Sequence, residues 1–195
     1  MTTTNPGSAR GSNKKRNWII LILAWIILHV VFILLFVLLF LRVRSPKVRL
    51  GSVSVETINL NTSSAAPSFD LKLNAQVTIK NKNFGRFKFH NSTATISYRG
   101  TEVGQATIDK GKAKARSTKK INNVMVSVKS NKVSSNSAGL LRSDLSSKNL
   151  TFSAYTKLEG KVHLFLIFKK KKSAQMNCTF IVNTATKGIS DLSCK

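Results

Sequence analysis

The side chains able to do chemistry in this 195-residue chain are few: seven acids, three histidines and two cysteines, against 32 lysines and arginines. An enzyme needs convergent acids, bases or nucleophiles, and no P-loop, dinucleotide-binding glycine motif, zinc-protease helix or serine elbow is present. His90 sits in the turn-like context Phe89-His90-Asn91 and His163 inside a strongly apolar stretch. Lacking local partners, both read as structural histidines rather than bases. The expectation is a protein without catalysis, cofactor or metal. Cys178 and Cys194 belong to no C-x-x-C or Cys/His cluster, which leaves two readings open. A bridge would close a loop of about 15 residues, contribute about 3 kcal/mol on the chain-entropy estimate and tie the C-terminus to the sheet. The other reading is one buried and one exposed thiol.

Charge is the stronger signal. The formal net charge is +25 and the sequence pI about 10.8. Residues 42–195 carry 28 Lys and Arg against all seven acids, a balance of about +21, and such a surface attracts polyanions. Lys110, Lys112, Lys114 and Arg116 alternate with Gly111, Ala113 and Ala115, so an extended segment would project all four cations from one side, with Lys119 and Lys120 just beyond. Lys169, Lys170, Lys171 and Lys172 form a second block, read as a strand end or hairpin tip. One reading of both clusters is a solvated edge whose lysines discourage strand-to-strand aggregation. The other is contact with an acidic polysaccharide or anionic lipid. Nucleic acid is set aside, because no zinc-finger, recognition-helix or aromatic RNA-binding signature occurs.

The elements that must position these residues begin with an uncharged run of 24 residues from Trp18 to Leu41. As a helix it would extend roughly 36 Å, enough to cross a hydrocarbon core of about 30 Å. Signal-peptide cores are shorter, about 7–15 residues, and end at a small-residue cleavage site; here Arg42-Val43-Arg44 follows directly. A permanent single-span anchor is expected. His29 lies mid-span, read as a neutral imidazole tolerated there or bonded to a neighbouring helix. Residues 1–17 are polar and aperiodic, hence a disordered basic tail.

Sidedness is less legible. Arg10, Lys14, Lys15 and Arg16 precede the run, while Arg42, Arg44, Lys47 and Arg49 follow it, so the positive-inside rule returns a tie. Four N-glycosylation acceptors, Asn61, Asn91, Asn149 and Asn177, follow the run. With 13 Asn in this Ser/Thr-rich stretch, roughly three such motifs arise by chance. They permit a lumenal or extracellular domain.

Period-two alternation dominates residues 42–195, a length that suits one domain. Leu71, Leu73, Ala75, Val77 and Ile79 oppose Lys72, Asn74, Gln76, Thr78 and Lys80. The pattern recurs at Val124–Val128, Leu150–Ala154 and Met176–Val182, placing Cys178 on a core face and Asn177 outward. Further strands are expected at Val48–Leu60, Ala94–Arg99 and Val103–Ile108, with an apolar, central one at Val162–Phe168. One helix is expected around Ser137–Ser146, with Leu140, Leu141 and Leu145 on one side. Several short strands separated by turn residues argue for an antiparallel β-sandwich.

Val77-Thr78-Ile79-Lys80-Asn81-Lys82-Asn83-Phe84, then Ile96-Ser97-Tyr98-Arg99-Gly100 and Val103-Gly104, behind one N-terminal span and before a late Cys178, resemble the plant group-2 late-embryogenesis-abundant proteins. More narrowly, they resemble the membrane-anchored harpin-induced, non-race-specific-disease-resistance-like branch. The resemblance covers about Asn17 to Lys195. Lys82 stands where the family usually has proline in Asn-Pro-Asn, so a looser turn is expected. The resemblance implies a fibronectin-like, immunoglobulin-like sandwich displayed at the plasma membrane. The expected topology is a cytoplasmic N-terminus with the C-terminal domain outside the cytosol, the endoplasmic reticulum being the other membrane in view. It implies roles in pathogen defence, senescence or abiotic stress, with no catalytic activity to transfer. The partners it leaves in view are acidic wall polysaccharide, anionic lipid, a membrane protein or a second copy of the chain. A structural tether between membranes, or from membrane to wall, is the alternative reading.

Overall fold

The computed structural model describes residues 10–40, 42–63, 66–164 and 168–195. It divides into two compact units, the second running Val43–Lys195. The first is helix α1, Arg10–Phe40. Within it Lys15–Leu38 has mean hydropathy 3.2 and is not covered by protein, so by length and composition it can cross a membrane. The helix starts upstream of the apolar run, so Arg10–Asn17 is helical rather than disordered. Lys and Arg are good helix formers, and extending an existing helix needs no new nucleus. Residues 1–9 and Leu41, the expected end of the span, lie outside the described residues. His29 Nδ1 donates to the Trp25 carbonyl at 3.1 Å, so its polar atom is satisfied within its own helix.

The second unit is an antiparallel β-sandwich. Its strands are β1 (Lys47–Asn61), β2 (Ser68–Lys80), β3 (Arg86–Phe89), β4 (Ser92–Tyr98), β5 (Thr101–Ile108), β6 (Gly111–Ala113), β7 (Thr118–Lys129), β8 (Asn149–Leu164), β9 (Phe168–Asn183) and β10 (Gly188–Cys194), with helix α2 (Ala138–Ser146) before β8. One sheet runs β1-β2-β7; the other runs β10-β9-β8-β3-β6, with β4 joined to β8 and β5. The alternating apolar residues of β2, β7, β8 and β9 face inward, as their period of two requires. Where the sheets meet, Phe69 packs edge-on to Tyr98 and Phe152 at 5.5 and 5.6 Å between centroids.

Three details differ from expectation. Val162–Phe168 is not a separate central strand: Val162–Leu164 ends β8 and Phe168 begins β9, while residues 165–167 lie outside the described ones. Lys161 pairs with Lys171, and His163 with Lys169, across these two strands. In α2, Leu141 and Leu145 are buried but Leu140 is exposed, because Leu141 and Leu145, four apart, share the stripe that meets the sheet while Leu140 lies about 100° round the helix from Leu141. Strands β3, β6 and β10 were not foreseen.

The Asn81-Lys82-Asn83 turn is held tightly despite lacking proline. Asn81 and Asn83 are buried, and Asn81 Nδ2 donates to the carbonyls of Gly85 (2.8 Å) and Lys114 (3.0 Å). Asn83 Oδ1 accepts from the Arg44 N–H at 2.6 Å, and its Nδ2 donates to the Arg44 carbonyl at 2.7 Å. The side-chain amides, rather than a fixed φ at position 82, set this turn. Here the chain comes into the sandwich, and this end is called the root.

Candidate functional site: a cationic sheet face

The short strands decide where the charges go. On β8, Gly160 has no side chain because a Cβ there would collide with the Lys88 carbonyl. That close approach lets β3 lie along β8 and sets Lys88 opposite Lys161. Lys88 in turn lies opposite Lys112 on β6, and Lys161 lies opposite Lys171 on β9. Directly paired residues project from the same face of a sheet. Lys112, Lys88, Lys161 and Lys171 therefore form one row across four adjacent strands, away from the core side that buries Ala113, Phe87 and Val162. With strands about 4.8 Å apart the row is roughly 14 Å long.

A second row, Arg86, His163 and Lys169, lies two residues along on the same face. The field of these cations is felt at His163, whose pKa is lowered first by desolvation and then by Lys88, Lys169, Arg86 and Lys161. On the other flank a cleft of about 530 Å³ is lined by His90, Glu159, Lys161 and Lys171, among others. Glu159 pairs with Lys157 at 2.7 Å. That contact holds the carboxyl below and the lysine above its ordinary pKa, so the acid is engaged sideways rather than with the row. Like charges set directly opposite are unfavourable, and this face gathers them. An extended anion would relieve that repulsion.

The charge clusters of the sequence are thus redistributed. Residues 110–116 do not form one extended segment: β6 spans three residues, Lys110 precedes it, and a turn follows in which Arg116 has φ 53°. Only Lys112 joins the row. Arg116 instead stacks 4.7 Å over the Phe84 ring and donates to the Lys82 carbonyl. Lys119 and Lys120 belong to the other sheet, opposite Ile79 and Thr78. Of the second block, Lys169 and Lys171 face outward with the rows, and alternation turns Lys170 and Lys172 the other way. The members that sequence reasoning missed are Lys88, Lys161 and Arg86; the alternation of Arg86-Phe87-Lys88-Phe89 is the signal that could have found them.

Among the described residues no cluster of three His, Cys, Asp or Glu could hold a metal. Cys178 and Cys194 are disulfide-bonded, 16 residues apart, and fasten β10 to β9. The four acceptor asparagines are exposed. Asn61 and Asn149 stand at the end opposite the root, Asn91 precedes β4, and Asn177 lies within β9.

A family model described as "Late embryogenesis abundant protein" matches residues 76–179. The late embryogenesis abundant protein At1g64065 of Arabidopsis thaliana is 28% identical over 158 residues, covering 80% of this chain and 72% of that protein. Among solved structures, AT1g01470 of Arabidopsis thaliana is similar at TM-score 0.46 and 15% identity, covering 70% of this chain and 82% of that one. The late embryogenesis abundant protein At2g46140.1, described as putative, is similar at TM-score 0.31 and 10% identity, over 75% and 76% of the two chains.

Proposed function

The chain belongs to the late embryogenesis abundant group 2 family, and from that premise we propose that it is a membrane-anchored, stress-related interaction protein. Its outward cationic sheet face binds an acidic polymer. In this reading α1 crosses the plasma membrane with its N-terminus in the cytoplasm, and the sandwich stands outside the cytosol as a glycoprotein. It serves pathogen defence or abiotic stress responses, as in the harpin-induced branch, and performs no catalysis. The observation that carries the reading is the four-lysine row, because register rather than composition brings these cations together. A disulfide in the domain favours an oxidising compartment, and the apolar helix favours an anchor.

Acidic wall polysaccharide is the partner of choice, and titrating the full-length protein with polygalacturonate is the test. Lys88→Glu with Lys161→Glu should abolish binding, while Lys148→Glu with Lys187→Glu, an equal change of charge at the other end, should retain it. Equal loss in both variants would reduce the site to bulk charge. Sidedness is checked separately, by a glycosidase mobility shift on protein from its native cells and by proteolysis of intact protoplasts.

The second reading is a mechanical tether from membrane to wall or to another anionic membrane, since basic residues near such a surface contribute about 1 kcal/mol each. The same row reversal separates the two in cells. Lost membrane apposition supports tethering, and lost defence output with unchanged apposition supports signalling.

A further inference from the structure

The outer face that carries the cationic rows continues along β8, and there its character changes. Glu159 and Lys157 follow Lys161 on that face, and their ion pair at 2.7 Å leaves no net charge between them. Beyond them Tyr155 lies directly opposite Thr95 on β4 and Asn177 on β9, while Thr95 lies opposite Gln105 on β5. One rung further, Ser153 stands between Ser97 and Thr179. Paired residues share a face, and the intervening rung of Ile96, Ala154 and Cys178 is buried, so these groups point outward. None of them carries a charge. One end of the face is cationic, and the other is a field of hydroxyls and amides.

Tyr155 stands at the centre of that field and is 47% exposed. Its strand is paired on both sides at this level, so the ring rises from the middle of the sheet. Phe87, Phe89, Tyr98, Phe152 and Phe180 of the same sheet are buried, and Phe168, opposite the buried Leu164, lies on the core side. A tyrosine ring offers rigid, amphipathic contact area at small entropic cost, and Ser and Asn beside it offer adaptable hydrogen bonds. That combination suits a sugar ring, with C–H groups on its faces and hydroxyls round its rim. We propose that Tyr155 is a sugar-stacking platform that extends the lysine row into a binding strip along β8. The occupant is one acidic polysaccharide chain, with carboxylates on Lys88 and Lys161 and a further ring on Tyr155. From Lys161 to Tyr155 is six residues, about 20 Å, within reach of a single chain. This rests on the reading of the row as a polymer site and adds what the row lacks, a means of telling a sugar from another polyanion. Single-stranded nucleic acid also joins anionic groups to stackable rings, but it stacks successive bases on successive aromatics, and this face presents one.

The test is titration of the full-length, detergent-solubilised chain with polygalacturonate, with polyphosphate of matched charge and with single-stranded RNA. Tyr155→Thr removes the ring but keeps a good strand former. It should weaken polygalacturonate binding several-fold and leave polyphosphate binding unchanged, which also verifies that the variant is folded. Tyr155→Phe keeps the ring and should bind both polymers as the unaltered chain does. Lys88→Glu with Lys161→Glu should weaken both. If that reversal leaves polygalacturonate untouched, the row fails as a site and the platform with it. If the reversal acts while Tyr155→Thr weakens both polymers equally, or neither, the platform alone is overturned. RNA held more tightly than polygalacturonate and lost in Tyr155→Thr overturns the choice of a sugar. Asn177 beside the ring is itself an acceptor for N-glycosylation, so the series is repeated in Asn177→Gln. An effect of Tyr155→Thr confined to that background would mean that the chain's own glycan covers the ring, and overturns the polymer as its occupant.

Discussion

Asn83 grips Arg44 from both sides, accepting from its N–H and donating to its carbonyl, much as a paired strand would. One side chain thereby satisfies the backbone of a residue 39 positions away. Its Nδ2 also reaches Asn81 Oδ1 at 2.9 Å. Asn83→Ala removes all three bonds in a buried setting, so a loss of about 2–4 kcal/mol is expected in denaturant unfolding of the detergent-solubilised chain. Asn83→Asp should be nearly as damaging, since a carboxylate cannot donate to the Arg44 carbonyl. A loss within a few tenths of a kcal/mol would show that the turn is held by its backbone alone.

Tyr98 is buried, and its hydroxyl donates to Asp144 Oδ2 at 2.6 Å. Desolvation, then that hydrogen bond to an anion, pushes its pKa from 10.0 up to about 12. The unfolded chain loses the phenolic proton near its ordinary value while the folded chain keeps it. This stabilisation is therefore complete below about pH 10 and is lost as pH rises through about 12. Tyr98→Phe keeps the ring and abolishes the group, so its stability should not show that alkaline fall. Parallel alkaline profiles for the two proteins would contradict the assignment.

Removing the disulfide tests how firmly the last strand is held. Cys194→Ala with Cys178→Ala should cost about 3 kcal/mol on loop-closure grounds, a fall of roughly 6–12 °C in Tm for a domain of this size. Faster amide exchange should be confined to β10 and the facing part of β9. Uniform loosening of both sheets would mean that the bridge supports the whole sandwich.

Lys161 stands between Lys88 and Lys171 in the cationic row. Lys161→Gln should raise stability by a few tenths of a kcal/mol at low ionic strength by relieving cross-strand repulsion. That gain should vanish in high salt. Thermal unfolding at two salt concentrations measures both, and a variant less stable at low salt would argue that the lysines are already neutralised by neighbours.

What could be read from the amino acids alone followed the length of each element. The 16-residue strands β8 and β9 and the 13-residue β2 declare themselves through alternation, because many residues vote for one period. Strands β3 and β6 contain four and three residues, too few to distinguish a strand from a turn without knowing their partners. The cationic row was invisible for the same reason, since two of its four members sit on those short strands. Blocks of neighbouring charges were visible in sequence, yet a strand sends alternate members to opposite faces. The structure kept Lys112 and Lys171 from those blocks and supplied Lys88 and Lys161 from outside them. The expectation of a slack turn at Lys82 failed because it weighed backbone stiffness and not the buried amides beside it.

The brevity of β3 and β6 has a consequence for anything that lies across the lysines. Each is fastened by a handful of backbone bonds to a neighbour, whereas β8 and β9 form a long hairpin. An occupant spanning the row would act as a splint, binding the frailest margin of the sheet to its stiffest member. Occupancy should then be legible as slower amide exchange in Gly111–Ala113, a three-residue strand paired along β3.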